Sequence, residues 1–382
     1  MRHRLSCAAC RPPPVARHRS LVEQHNYSDG ALGSGEVDGY DALILVSFGA
    51  PERAEDVMPF LRKVTDGRGV PEERLAAVAE HYYQAGGASP LNERCRQLLA
   101  ALEGELAGLA LRLYWGNRNW APLLPATIAQ MRNDGVQRAL ALVTSAYGGY
   151  SSCRQYLDDI ATARAAVGPG APVIDKLRLF YNHPGWVGAW ADSLGKALAL
   201  CGDVQGPVEI LFSAHSIPQP MANTSPYVQH VTETAALTAG LAGAQTWRLV
   251  WQSRSGSPSA PWLGPDIGEV IATSQAAAIV VAPIGFVCDN MEIVHDLDVE
   301  AAALAEKKGA RFVRARSVSG HPLFVSMVRE LVQERLDGTA PKSLGAQGPW
   351  PDHCPEGHCP APKAPPGAGP LSSQAAAQRS AP

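Results

Sequence analysis

The feature that most narrows the fold is a repeated alternation of short apolar runs with stretches of helical periodicity. Strand-length runs occur at Asp41–Phe48 (DALILVSF), Ala110–Trp115, Ala139–Thr144 and Val173–Leu179. Helical patterns fall between them, over Glu52–Val64, Pro71–Tyr83, Asn92–Leu106 and Leu123–Asn133. The cycle then repeats, with strands at Val208–Ser213, Thr246–Trp251, Ala278–Val281 and Arg311–Arg316 and helices at Pro184–Leu200, Tyr227–Ala242 and Ile267–Ser274. Continuous apolar runs such as ALILVS and AIVV suit strands covered on both faces. Strand, loop and helix in succession build parallel sheets flanked by helices. The expectation is an α/β chain of two similar Rossmann-like domains with a cleft between them.

The expected boundaries follow the composition. Residues 1–39 are basic and lack the apolar core of a secretory signal, so they are set outside the fold as a disordered extension. Residues 40–176 form the first domain and 177–318 the second, with a helix in 319–340 packing back on the first. The segment 341–382 is a Pro-, Gly- and Ala-rich tail, largely disordered except around CPEGHC. A near balance of 33 basic and 36 acidic residues points to neither nucleic acid nor a charged membrane surface as partner. No run of about 18 apolar residues occurs, which argues against a membrane span. Eight scattered cysteines fit a reducing cytoplasm better than a disulfide framework.

In sheets of this kind ligands bind beyond the carboxyl ends of the strands. Ser47, Thr144, His215, Ser253 and Cys288 all fall there. Pro283 and Gly285 end the Ala278–Val281 strand, and a helical pattern follows in which Glu292, Asp296 and Glu300 stand at i, i+4 and i+8. That spacing lines three carboxylates along one α-helical face with no cation at the same positions. On spacing alone a cation-handling ridge and a solvated acidic face both stay open, as do a functional and a structural reading of His215.

Taken together, FSAHSIP, GFVCDNMEIVHDLDVE, QSRSGSPSAPWLGPD, GNRNWAP and GGASPLN resemble the ferrochelatases over about residues 40–340. The details look most like the actinobacterial branch that acts on coproporphyrin III. The resemblance implies the two-domain chelatase fold and a cytoplasmic lyase that inserts Fe(II) into coproporphyrin III to give coproheme. Protoporphyrin IX is the alternative substrate; a sirohydrochlorin-type chelatase and a non-catalytic porphyrin or haem carrier rank lower. It further implies that His215 is a proton acceptor or metal ligand, that Glu292 holds iron and takes up a proton, and that Asp296 and Glu300 extend a metal-conducting ridge. Asp289 matches an acid at the helix start, where capping alone would explain it, and Asn290 stands where relatives often carry His. Arg68 is the candidate partner for a porphyrin propionate, with Ser89 as a donor beside it and Arg118 either a further partner or a surface residue; Phe48, Tyr147 and Trp262 are candidate pocket walls. By the same resemblance a [2Fe–2S] cluster is held by Cys153, Cys354, His358 and Cys359, with His replacing one Cys as in Rieske centres and Zn2+ as the competing metal. Expected partners are porphyrin and ferrous iron, with transient contacts to other haem-pathway enzymes.

Overall fold

The computed structural model describes residues 39–255, 260–354 and 357–361, so the expectation for residues 1–38 lies outside the described residues. The described residues from 39 onward belong to one compact unit. Within it lie two four-stranded sheets, each wholly parallel. The first contains β1 (Ala42–Ser47), β2 (Arg112–Asn117), β3 (Arg138–Val143) and β4 (Val173–Lys176) in the order β2-β1-β3-β4. The second contains β5 (Val208–His215), β6 (Arg248–Gln252), β7 (Ala278–Ala282) and β8 (Arg311–Arg314) in the order β6-β5-β7-β8. The two orders are the same pattern. In each, the chain direction across the sheet reverses between the two central strands, and such a switch point opens a crevice at the carboxyl ends.

Pleating sorts the strand residues to two faces. From β1 and β3, Ile44, Val46, Ala139 and Ala141 face α4 (Leu124–Asn133) and α5 (Gln155–Val167), where they meet Ile128, Met131, Tyr156 and Ile160. The other face, with Leu43, Leu45, Leu140 and Leu142, joins a core shared with Phe212, Ala214, Val280 and Ala282 of the second sheet. Between the sheets lie α3 (Leu91–Glu105) and α6 (Pro184–Ala199), which contribute Leu98, Leu102, Trp186 and Trp190 to that core. One continuous interior therefore joins both halves. Helix α5, absent from the expected elements, buries Tyr156, Ile160 and Ala163 at helical spacing.

Helix α11 (Pro322–Leu336) packs against α6 and α3. The Arg178 guanidinium donates to both Glu334 carboxylate oxygens at 2.6 and 2.8 Å and to the Lys342 carbonyl at 2.9 Å. Beyond α11, residues 342–350 lie against the body instead of in the expected disordered tail, and residues 362–382 of that tail lie outside the described residues. The buried Asn182 accepts from the Leu344 amide at 2.8 Å and donates to the Gly348 carbonyl at 2.7 Å, and Trp350 reaches the His230 ring at a centroid distance of 4.6 Å. Asn182 supplies backbone-like partners that a coil of this composition lacks on its own.

The acidic stretch departs from expectation in local geometry. Ile293–Ala301 is a π-helix that runs into α10 (Ala302–Lys307), rather than an α-helix. Its i→i+5 register is uncommon and recurs at functional sites. Residues five apart diverge by about 140° on an α-helix, whereas here His295 and Glu300 meet, with Nε2 3.4 Å from Oε1. No helix among the described residues is long and apolar enough to cross a membrane.

Candidate active site

The site forms at the switch point of the second sheet. His215 is the last residue of β5, and β7, its neighbour, feeds the turn that leads to Glu292. That turn lies directly on β5. The Gly285 amide donates to the Ser213 carbonyl at 3.0 Å, and a Cβ on Gly285 would stand 2.6 Å from Ala214 Cα, so only glycine permits the approach. Tyr147 braces the turn from the first half, its hydroxyl donating to the Ile284 carbonyl at 2.6 Å. The result brings His215 Nε2 within 3.2 Å of Glu292 Oε1.

The far nitrogen of the imidazole is fixed as well. His215 Nδ1 lies 2.5 Å from the Ser216 carbonyl, which can only accept, so Nδ1 carries a proton and Nε2 faces the carboxylate. Burial by itself pushes this imidazole toward its neutral form; the Glu292 charge and hydrogen bond outweigh it and raise its pKa to about 9. At neutral pH the imidazole is therefore charged where it faces the Glu292 side chain. The second carboxyl of the row, Asp296, is pushed up to about 6, chiefly by burial, while a hydrogen bond from the Ser253 hydroxyl works in the opposite direction. Ser253 itself holds φ +60, a left-handed conformation uncommon for a residue with a side chain, just past the end of β6. Gln252 Nε2 touches the Glu292 carbonyl at 3.3 Å and Asp296 Oδ2 at 3.4 Å.

Farther out, one ligand atom each from His295, Asp296 and Glu300 lie within 4.8 Å of one another, close enough to hold a divalent cation. The His295 ring stacks on His81 at 3.6 Å between centroids. His81 and Tyr82 belong to α2 (Glu72–Gln84), which with α1 (Ala54–Val64) forms a small apolar cluster of its own around Phe60 and Leu61. Burial raises the Tyr82 phenol, and the Glu292 charge adds to that effect. No motif in the sequence singles out His81, Tyr82, Gln252 or His295. His295 sits inside the acidic motif and was readable as a candidate ligand; the others are joined to the site only by tertiary packing.

The remaining expected residues divide. Phe48 is 36% exposed and packs edge-on against Phe60, which in turn meets Trp120 and Tyr82, so an aromatic wall leads from β1 toward Glu292. Arg68 is exposed in the turn between α1 and α2. Trp262 is half-buried, and its indole N–H finds no acceptor among the described residues. Four expectations change on the geometry. Tyr147 is 1% exposed and wedged among Trp186 and Tyr227, so it cannot line an open pocket. Ser89 is buried where its hydroxyl accepts from the Leu91 amide at 3.4 Å, at the first turn of α3. Arg118 is neither on the surface nor free: it pairs with Asp159 and lies over Tyr156 at 4.5 Å. Asp289 does not cap the helix either. It is held by Arg314 at 3.0 Å and Arg94 at 3.8 Å, while Asn290 Oδ1 accepts from the Ile293 amide at 3.0 Å and does the capping.

The cysteine set converges apart from this site. Cys153 and Cys359 are both 5% exposed, and Cys359 Sγ lies 3.1 Å from His358 Nδ1. Burial pushes the Cys359 thiol up to about 12, with the nearby Cys153 and Cys354 adding to the rise. The Trp350 indole N–H donates to Cys354 Sγ at 3.4 Å. Two hollows elsewhere do not involve the His215–Glu292 pair. One of 330 Å³ opens at the amino ends of β5 and β6, and one of 590 Å³ is bounded by Glu52, Arg53, Asp56, Trp120 and Ala121.

The ferrochelatase family model matches residues 40–336. A ferrochelatase of Rhodopirellula baltica is 48% identical, the alignment covering 87% of this chain and 97% of that protein. Coproporphyrin III ferrochelatases of Nocardia farcinica and Streptomyces coelicolor are 48% and 46% identical, covering 80% and 84% of this chain and 91% and 94% of theirs. Among solved structures, the sirohydrochlorin chelatase SirB of Bacillus subtilis with cobalt aligns at a TM-score of 0.48 and 11% identity, covering 78% of this chain and 96% of that one. With the family's model matched across both sheets and relatives of this identity matched over nearly their whole length, this chain belongs to the ferrochelatase family.

Proposed function

We propose that the protein inserts ferrous iron into coproporphyrin III, with His215 and Glu292 at the reacting centre and Asp296 and Glu300 on the path by which iron arrives. The observation that carries this reading is the 3.2 Å approach of His215 Nε2 to Glu292 Oε1 at the carboxyl ends of β5 and β7. The relatives of Nocardia farcinica and Streptomyces coelicolor, named as coproporphyrin III ferrochelatases, support the choice of porphyrin. Metallation must remove two pyrrole protons while iron exchanges water for nitrogen. His215, raised to about 9 by Glu292, cannot accept a proton at neutral pH while that carboxylate is free. An iron dication on Glu292 cancels the charge that holds the proton, so His215 releases it and becomes a base as the metal arrives. Metal delivery and base generation are thereby one event.

The porphyrin itself lies against the wall of Phe48, Phe60 and Tyr82 in this reading, with Arg68 on a propionate and Trp262 closing the far side. Ser89 and Tyr147 serve the site by fixing α3 and the Gly285 turn. The same reading gives Cys153, Cys354, His358 and Cys359 a [2Fe–2S] cluster. The donors fit: the buried Cys153 and Cys359 sulfurs, whose thiols burial pushes up, a third sulfur on Cys354 within electrostatic reach, and the adjoining His358 imidazole. Such a group supplies one-electron redox chemistry. A cytoplasmic site of action, with transient contacts to other haem-pathway enzymes, belongs to this proposal.

The test is anaerobic metallation with Fe(II), offering coproporphyrin III and protoporphyrin IX in parallel. Faster coproporphyrin turnover is expected. A protoporphyrin preference would overturn the substrate, and turnover of neither would overturn the reading. The visible spectrum with iron and sulfide analysis of the same sample tests the cluster, whose absence would show as a colourless protein.

A further inference from the structure

The π-helix that follows Glu292 has an apolar face that does not choose its geometry. Ile293, Leu297 and Ala301 are buried in the core of the second half, and their spacing suits an α-helix and a π-helix alike. Its polar side makes the choice. There one side chain from outside the element takes hold at two places. Arg314 is the last residue of β8, beside the end of β7, where its register partner is Val281. Its Nε and Nη2 donate to the two carboxylate oxygens of Asp298 at 2.5 and 3.0 Å, and its Nη1 donates to Asp289 Oδ1 at 3.0 Å. Asp289 lies in the turn before Glu292, and Asp298 lies within the π-helix after it. We propose that Arg314 is a positioning residue for iron insertion, one that keeps Glu292 against His215 by holding Asp289 and Asp298 on a single guanidinium.

The two carboxylates are not equally fixed. Asp289 is 7% exposed, its amide donates to the Ser317 hydroxyl at 3.1 Å, and Arg94 of α3 approaches its other oxygen at 3.8 Å. Asp298 is exposed. Through Arg314 the exposed side of the π-helix is therefore referred back to a fixed point in the turn. Between these anchors stand Glu292, 3.2 Å from His215, and Asp296, whose carboxylate takes the Ser253 hydroxyl. Just past them His295 meets Glu300 at 3.4 Å. Arg314 acts on the reacting centre only through Asp289 and Asp298, so it is not itself a catalytic residue.

The bridge needs a guanidinium. Its planar fork pairs two-pronged with one carboxylate and still offers an N–H to another, whereas an ammonium is a point charge without that geometry. Arg314→Lys therefore keeps the charge and loses the bridge. Asp298→Asn cuts the same bridge from the other end and leaves the Arg314–Asp289 pair in place. A misplacement of about 1 Å at a reacting group is enough for a loss on the order of 10²-fold. The effect on activity rests on the proposed role of Glu292; the hold on the π-helix does not.

The test combines amide hydrogen exchange with steady-state metallation of coproporphyrin III by Fe(II), on full-length wild type, Arg314→Lys, Asp298→Asn and the double variant. Both single variants should exchange faster over residues 290–301 with the strands unchanged. Their kcat should fall by about 10- to 10²-fold while KM for the porphyrin stays at the wild-type value. The double variant should be no worse than the poorer single one, because both substitutions cut one bridge. Wild-type exchange and kcat in both single variants would overturn the proposal. So would faster exchange throughout the chain, which would make Arg314 a general stabiliser, and so would losses that add in the double variant. A wild-type protein that metallates no porphyrin would count against the proposed function, and the exchange over 290–301 would still decide whether Arg314 holds the element.

Discussion

At the scale of single residues, the site is governed by how one carboxylate sets the charge of one imidazole. Glu292→Gln keeps the shape of the side chain and removes its charge. The His215 titration should then fall well below about 9, because burial is left opposed only by the Ser216 carbonyl and the Asp296 charge, and NMR of the imidazole resonances reads the shift directly. Metallation should fall by about 10²- to 10⁴-fold, the usual span for losing a positioned acid–base group, while porphyrin binding followed by fluorescence persists. Because the folded pKa of His215 is raised, the pair's stabilisation is fully present below about 6.5 and is lost as pH rises through about 9. Asp296 has the same sign for a different reason. Its carboxyl is raised to about 6 chiefly by burial, so the folded state favours the proton and gives up that preference between about 4 and about 6. Divalent cation binding measured by calorimetry should weaken as pH drops through about 6, and Asp296→Asn should remove that limb along with much of the affinity.

At the scale of elements, the site depends on where the turn after β7 is held. Tyr147→Phe deletes the donor to the Ile284 carbonyl and leaves that buried oxygen unpaired, a cost of about 1–3 kcal/mol. Chemical denaturation should show that loss, and kcat should fall more than KM rises, because the misplaced residue is Glu292 and not the porphyrin wall. A Tyr147→Phe enzyme with wild-type kcat and stability would contradict the bracing role. Helix α3 carries a different kind of load. Leu102 is 0% exposed in the core between the sheets, so Leu102→Ala should cost about 2–5 kcal/mol in denaturant unfolding. The helical face of α3 was legible from its apolar spacing. The π-form of Ile293–Ala301 was not, because Ile293, Leu297 and Ala301 satisfy α and π spacing alike and only the formed contacts choose between them.

For the whole molecule, Arg178 ties together parts of the chain that meet only after folding. It binds Glu334 of α11 and the Lys342 carbonyl, and the two charged side chains are 2% and 7% exposed. Arg178→Ala strands a buried carboxylate and should destabilise by about 3–5 kcal/mol, read as a lowered thermal midpoint. The amino-acid order alone determined the two parallel sheets, since apolar runs of strand length separated by helical patterns have few other ways to cover both faces. It also determined that His215 and the acidic stretch stand at carboxyl ends, because motif and strand boundary coincide in sequence. Tertiary structure alone decided the His81–His295 stack, the Arg178 clip and the anchoring of residues 344–350. Each joins residues far apart in the chain. Local periodicity reports which face of an element is apolar, and it carries no information about which distant element will cover that face.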